Sequence, residues 1–115
     1  MKFLMLVCAD PAALADDAPA ADDAADDGIF PWLDDVMARG IRLDGDRLQS
    51  PRAAKTVQVR DGEVLVSDGP FAETKEVICG YDVLECKDID EAVEVASRHP
   101  VAQSGKIEVR PFWPG

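Results

Sequence analysis

Ser67-Asp68-Gly69-Pro70-Phe71-Ala72-Glu73-Thr74-Lys75-Glu76 follows an apolar run that ends at Val66. Asp closes an Asx turn onto the backbone ahead of it, Gly tolerates positive φ, and Pro fixes φ near about −65°, so the chain must turn sharply here. Just upstream, residues 56–60 (Thr-Val-Gln-Val-Arg) and 63–66 (Glu-Val-Leu-Val) flank Asp61-Gly62, the pair that a two-residue type I′ turn requires. A β-hairpin is predicted, with the Asp68 turn held by it as by a rigid arm.

Further out, residues 3–7 (Phe-Leu-Met-Leu-Val) form an unbroken apolar run, the pattern of a strand covered on both faces. Residues 12–27 are almost only Ala and Asp. With Pro19 splitting them and Leu14 their one large side chain, they read as a loop and then a weak, exposed helix, inside a low-complexity segment over 10–27. A firm helix is predicted to begin near Pro31 and to carry Trp32, Leu33, Val36 and Met37 on one stripe until Gly40 stops it. Residues 41–48 read as a short strand interrupted at Asp44-Gly45-Asp46. On the other side of the turn, 77–86 reads as a strand. Asp88 and Glu91 form a capping-box pattern, and Ile89, Ala92, Val93 and Ala96 give the next helix one buried stripe, ending at Arg98-His99-Pro100. In a last strand over 106–110, Ile107 and Val109 alternate inward.

This order predicts an α+β fold, a ferredoxin-like βαββαβ plan with an inserted β-hairpin. Two helices cover only one sheet face, yet the 3–7 run demands cover on both. A second copy supplying its own sheet answers that demand, giving a homodimer, a dimeric α/β barrel with a cavity between the sheets.

At 115 residues, one domain over 1–115 is expected. The net charge is −11, but nine Asp fall between Asp10 and Asp35, with no Lys or Arg between Phe3 and Ala38. Such a face repels nucleic acid and anionic membrane, and both are excluded as partners. The Asp run reads as a solvated face, or as a docking surface for a basic partner. Cys8, Cys79 and Cys86 include no Cys-x-x-Cys pair, so neither a disulfide framework nor a zinc site is expected, and the setting is read as reducing and cytoplasmic. No stretch approaches the ~20 apolar residues of a membrane span. No phosphate-binding glycine loop, metal cluster or nucleophile with a histidine partner stands out, and no cofactor is expected.

Asp68 is the candidate catalytic residue. Partly desolvated in a cleft, its carboxyl group would serve as a general acid or base near neutral pH; otherwise it only closes its own turn. Phe71 is a candidate pocket wall or a core plug. Glu73, Lys75 and Glu76 are candidate ligand-binding groups, with Lys75 the cation for a substrate oxyanion, or a charged edge that blocks strand pairing. Arg110 faces opposite to Val109 and either anchors a ligand or pairs with an acidic neighbour. His99, at a helix C-terminus, reads as structural.

The Asp68-Gly69-Pro70-Phe71-Ala72-Glu73-Thr74-Lys75-Glu76 wording resembles the signature of the DGPF proteins of the YCII-related family, and Glu108-Val109-Arg110-Pro111 is similar to that family's ending. The resemblance implies a dimeric α+β barrel that binds a small molecule, as an enzyme moving a proton through an acidic residue or as a non-catalytic accessory or sensor. It also implies the second role's partner, since DGPF proteins are frequently encoded beside extracytoplasmic-function sigma factors. Some relatives in the wider superfamily pair an Asp with a His near the first helix. Residues 20–40 contain no His, so a His-assisted mechanism is not carried over.

Overall fold

The structure is a computed structural model that describes residues 1–9, 19–69 and 77–114, with side chains in the first helix described from residue 29 onward. Among the described residues, six strands and three α-helices follow one another as β1 (Lys2–Ala9), α1 (Pro19–Ala38), β2 (Arg42–Arg47), β3 (Lys55–Arg60), β4 (Glu63–Asp68), β5 (Val77–Glu85), α2 (Ile89–Ser97), α3 (Val101–Ser104) and β6 (Lys106–Pro111), with a 3-10 turn over Pro51–Ala53 between β2 and β3. Four strands form an antiparallel sheet in the order β2-β5-β1-β6, and β3 and β4 form a separate two-stranded sheet. This mixed α+β arrangement is compatible with the ferredoxin-like plan.

β1 lies in the middle because its residues are apolar on both faces. Phe3, Met5 and Val7 are buried with Leu84 of β5, Trp32, Val36 and Ile41 around α1, and Ala92, Val95 and Ala96 of α2. Ile107 and Val109 of β6 pack against this cluster, as their alternation predicts. Trp32 ties the two long helices together by donating its indole N–H to the Val95 carbonyl at 2.9 Å.

α1 differs from the sequence expectation. It is one helix from Pro19, and Pro31 sits inside it on the exposed side. A proline there removes one backbone donor from the helix. The helix stops as expected at Gly40, whose φ is +67°. The Gly40 N–H donates to the Met37 carbonyl and the Ile41 N–H to the Val36 carbonyl, the paired closure of a Schellman cap.

β2 runs unbroken through Asp44-Gly45-Asp46, where an interruption is expected from the sequence. The turn-forming carboxylates are used locally instead. Asp44 and Asp46 accept from the Gly45 and Arg47 backbone N–H groups at 2.8 and 2.7 Å, and the register slips between Arg42 and Asp44. In α2 the Asp88 cap accepts from the Glu91 N–H at 2.9 Å while Glu91 accepts from the Lys87 N–H. The buried residues of α2 are Ala92, Val95 and Ala96; Ile89 and Val93, expected on that stripe, are exposed. At the predicted hairpin turn, Asp61 and Gly62 have φ of +53° and +78°, and Arg60 pairs with Glu63, as a I′ turn requires.

Candidate functional site

The helices cover the Phe3, Met5 and Val7 side of the sheet, so the residues between them mark the other side. Leu4 pairs with Val83 and Leu6 with Tyr81. On the flanks, Arg110 and Glu108 of β6 pair with the same two leucines, and Asp44 and Asp46 of β2 pair with Val83 and Tyr81. Directly paired residues share a face. The uncovered side is thus a half-buried apolar strip of Leu4, Leu6, Val83 and Tyr81 between two rows of charge.

Arg110 stands on this uncovered face, as its alternation predicts, and forms an ion pair with Glu108 at 2.6 Å. Asp68 ends β4, where its carboxylate is ion-paired with Lys55 and its side chain is 85% exposed. Beneath it, the Gly69 N–H donates to the Ala54 carbonyl and the Thr56 hydroxyl to the Gly69 carbonyl. These bonds tie the hairpin at its root and fix where Asp68 leaves it. Arg110 lies level with Leu4; its ion-pair partner is Glu108, whereas that of Asp68 is Lys55 on the separate hairpin. Phe71, Glu73, Lys75 and Glu76 lie outside the described residues.

One charged pair went unread in the sequence. Asp82 of β5 is 6% exposed on the helix-covered face, in an ion pair with Arg42 Nε at 2.7 Å. Burial pushes its carboxyl group above the usual range, and the Arg42 guanidinium opposes that shift. The signal was available, because Asp82 shares strand parity with Leu84 and so had to face the core.

His99 is 5% exposed. Its ring packs edge-on against Trp32, with centroids 4.8 Å apart, and its Nδ1 accepts from the Val101 N–H. Burial pushes its pKa down to about 4, so it is neutral at pH 7 and fixes the turn between α2 and α3. None of the three cysteines is joined in a disulfide among the described residues. Burial, with Cys8 nearby, raises the pKa of Cys79, which disfavours the nucleophilic thiolate. Among the described residues no group of three or more His, Cys, Asp or Glu side chains is placed to hold a metal ion, and no helix is long and apolar enough to cross a membrane.

The YCII-related domain model matches residues 1–114. The chain belongs to the YCII-related family. An uncharacterized protein of Rhizobium meliloti (strain 1021) is 43% identical to this YCII-related chain over 68 residues, a match covering 57% of the chain and 55% of that relative. The match therefore spans about half the relative's length.

Proposed function

We propose that this YCII-related chain, as a single cytoplasmic domain, forms a homodimer whose uncovered sheet faces close an α/β barrel around a compact small molecule. The apolar strip of Leu4, Leu6, Tyr81 and Val83 between charged rows carries this reading. Such a floor suits a flat, largely apolar ligand with a polar group at its rim. In the enzymatic form of the proposal, Asp68 moves a proton. Phe71 walls the ligand, Glu73, Lys75 and Glu76 orient it, and Arg110 exchanges Glu108 for an anionic oxygen. A carboxylate as exposed as Asp68 needs the second copy to desolvate it before it can act as a base near neutral pH.

The non-catalytic reading has an observation of its own in its favour: Asp68 is already neutralised by Lys55. In that form the bound molecule is a signal, and the partner is an extracytoplasmic-function sigma factor, as the resemblance implies. Native mass spectrometry of freshly purified protein tests the common core. A dimer carrying extra small-molecule mass is the expected result, and a bare monomer removes both forms. Asp68→Asn then separates the two. Catalysis predicts lost turnover of the captured molecule with the dimer intact, whereas the sensor form predicts unchanged capture and association with a purified sigma factor.

A further inference from the structure

Along their shared edge β5 carries one residue more than β1. Val7 pairs with Gly80 and Cys8 with Ile78, so Cys79 is the extra residue of a bulge, set against the link between Val7 and Cys8. A bulge brings two residues of one strand against a single residue of the other. Paired strands run about 5 Å apart and their residues follow at about 3.3 Å, which places the Cys79 Cα roughly 6 Å from that of Cys8. Disulfides form at Cα separations of about 4.4–6.8 Å. Cys8 is also fixed from its other side, where it pairs with Lys106 of β6. Both cysteines are half-buried, within reach of a small reagent. Burial raises the pKa of Cys79, and the charge of an ionised Cys8 raises it further, so the two sulfurs sense each other. Cys86 stands apart. It is buried, its N–H donates to the Met1 carbonyl at the opposite end of β1, and seven residues of extended chain, roughly 23 Å, separate it from either thiol.

We infer that Cys8 and Cys79 form a reversible cross-strand disulfide, a redox site that staples β1 to β5 at the end of the sheet where β5 begins. The oxidant is a low-molecular-weight disulfide such as oxidised glutathione. Cys8 gives up its proton, and its sulfur attacks the oxidant's S–S bond and releases one glutathione thiolate. Cys79, which holds its proton while Cys8 is charged, then loses it, attacks the Cys8 sulfur of the mixed disulfide and expels the second thiolate. Two protein thiols are oxidised, one glutathione disulfide is reduced to two glutathione thiols, and the two protons pass to the departing sulfurs. In a reducing setting such a bond is transient and regulatory rather than a permanent part of the fold.

The unsubstituted chain, equilibrated in glutathione buffers of rising oxidised fraction, acid-quenched, alkylated and weighed by mass spectrometry, tests the site. A glutamate-specific protease cuts after Glu85 and so separates Cys79 from Cys86. The expected product is lighter than the reduced chain by two hydrogen atoms, with Cys8 and Cys79 protected from alkylation and Cys86 alkylated. Dithiothreitol should return all three to the alkylated form. Its thermal midpoint is expected to lie at least about 5 °C above that of the reduced chain, because the bond closes a long loop in the unfolded state. Cys8→Ser or Cys79→Ser should abolish both the product and the shift, and Cys86→Ser neither. Three alkylated cysteines in the most oxidising buffer overturn the inference; Cys79 also packs against the core, and a sulfur held there beyond the reach of Cys8 gives that result. A lasting glutathione adduct, a bond between chains or a bond to Cys86 overturns it equally, and an unshifted midpoint removes the staple. The measurements on the unsubstituted chain decide the matter even where a serine variant fails to fold.

Discussion

Gly45 is held by its neighbours on three sides. A Cβ there would collide with Asp82 Oδ1 and stand 2.6 Å from Arg42 Nη2 and 2.7 Å from the Tyr81 carbonyl oxygen, so no side chain fits without moving the backbone or breaking the buried ion pair. Gly45→Ala is expected to lower the unfolding free energy by about 1–3 kcal/mol in urea titrations. His99 makes a pH prediction. Its folded pKa, about 4, lies below the ordinary 6.5, so the unfolded chain takes up a proton first on acidification. The stability it contributes is complete above pH 6.5 and is lost as pH falls toward 4, by up to about 3 kcal/mol. His99→Gln should flatten that part of the stability curve, measured against the unsubstituted protein. Asp82 acts with the opposite sign: its raised pKa favours the fold at low pH, and this contribution disappears as pH rises through the raised value. The structural reading of His99 agrees with its buried place, whereas Asp82 and Gly45 were missed. Asp44-Gly45-Asp46 has the composition of a turn, and only the facing strand reveals that the glycine makes room for a charge pair.

Most elements were legible because their signals are local. Asp61-Gly62 can adopt two successive positive φ values, Asp88 can cap a helix, and Gly40 can end one, each with little reference to the rest of the chain. Where tertiary packing decides, the reading failed. The first helix extends through Pro31 because Trp32, Val36 and Ile29 anchor one side of it in the core, outweighing a lost backbone bond on the wet side. Pro31→Ala restores that bond and is expected to raise stability by about 1–2 kcal/mol, seen as a higher thermal midpoint. A destabilised variant would mean that Pro31 stiffens the unfolded chain more than it disrupts the helix. In α2, Val93 was expected inside and Val95 is found there. The capping residues fix where the helix starts, but its rotation is set by Trp32 reaching the Val95 carbonyl.

At the scale of the whole molecule, the extents are 47 × 42 × 20 Å. The short dimension is what one sheet and one helix layer occupy, at ~10 Å each, so among the described residues one broad face has no layer over it. That asymmetry was legible in the sequence from two helices and a doubly apolar first strand. The site was less so. Arg110 faces where its alternation places it, but whether Asp68 has any cover depends on a neighbour that one chain's sequence does not describe. The proposed dimer interface of Leu4, Leu6, Tyr81 and Val83, in a chain of net charge −11, predicts a salt response. Screening removes repulsion and leaves apolar contact intact, so dimerisation should tighten or hold as salt rises. Weakening with salt, followed by analytical ultracentrifugation, would point instead to an ionic contact.

The bulge at Arg42 to Asp44 and the carboxylates that fold back onto their own strand have a further bearing on growth. They make one lateral rim of the four-stranded sheet uneven and charged, while Pro111 withholds an amide hydrogen from the other. Neither margin is a good template for adding strands from another molecule. For the homodimer proposed above, this favours broadside stacking over side-by-side polymerisation, an association that is complete once two partners have met.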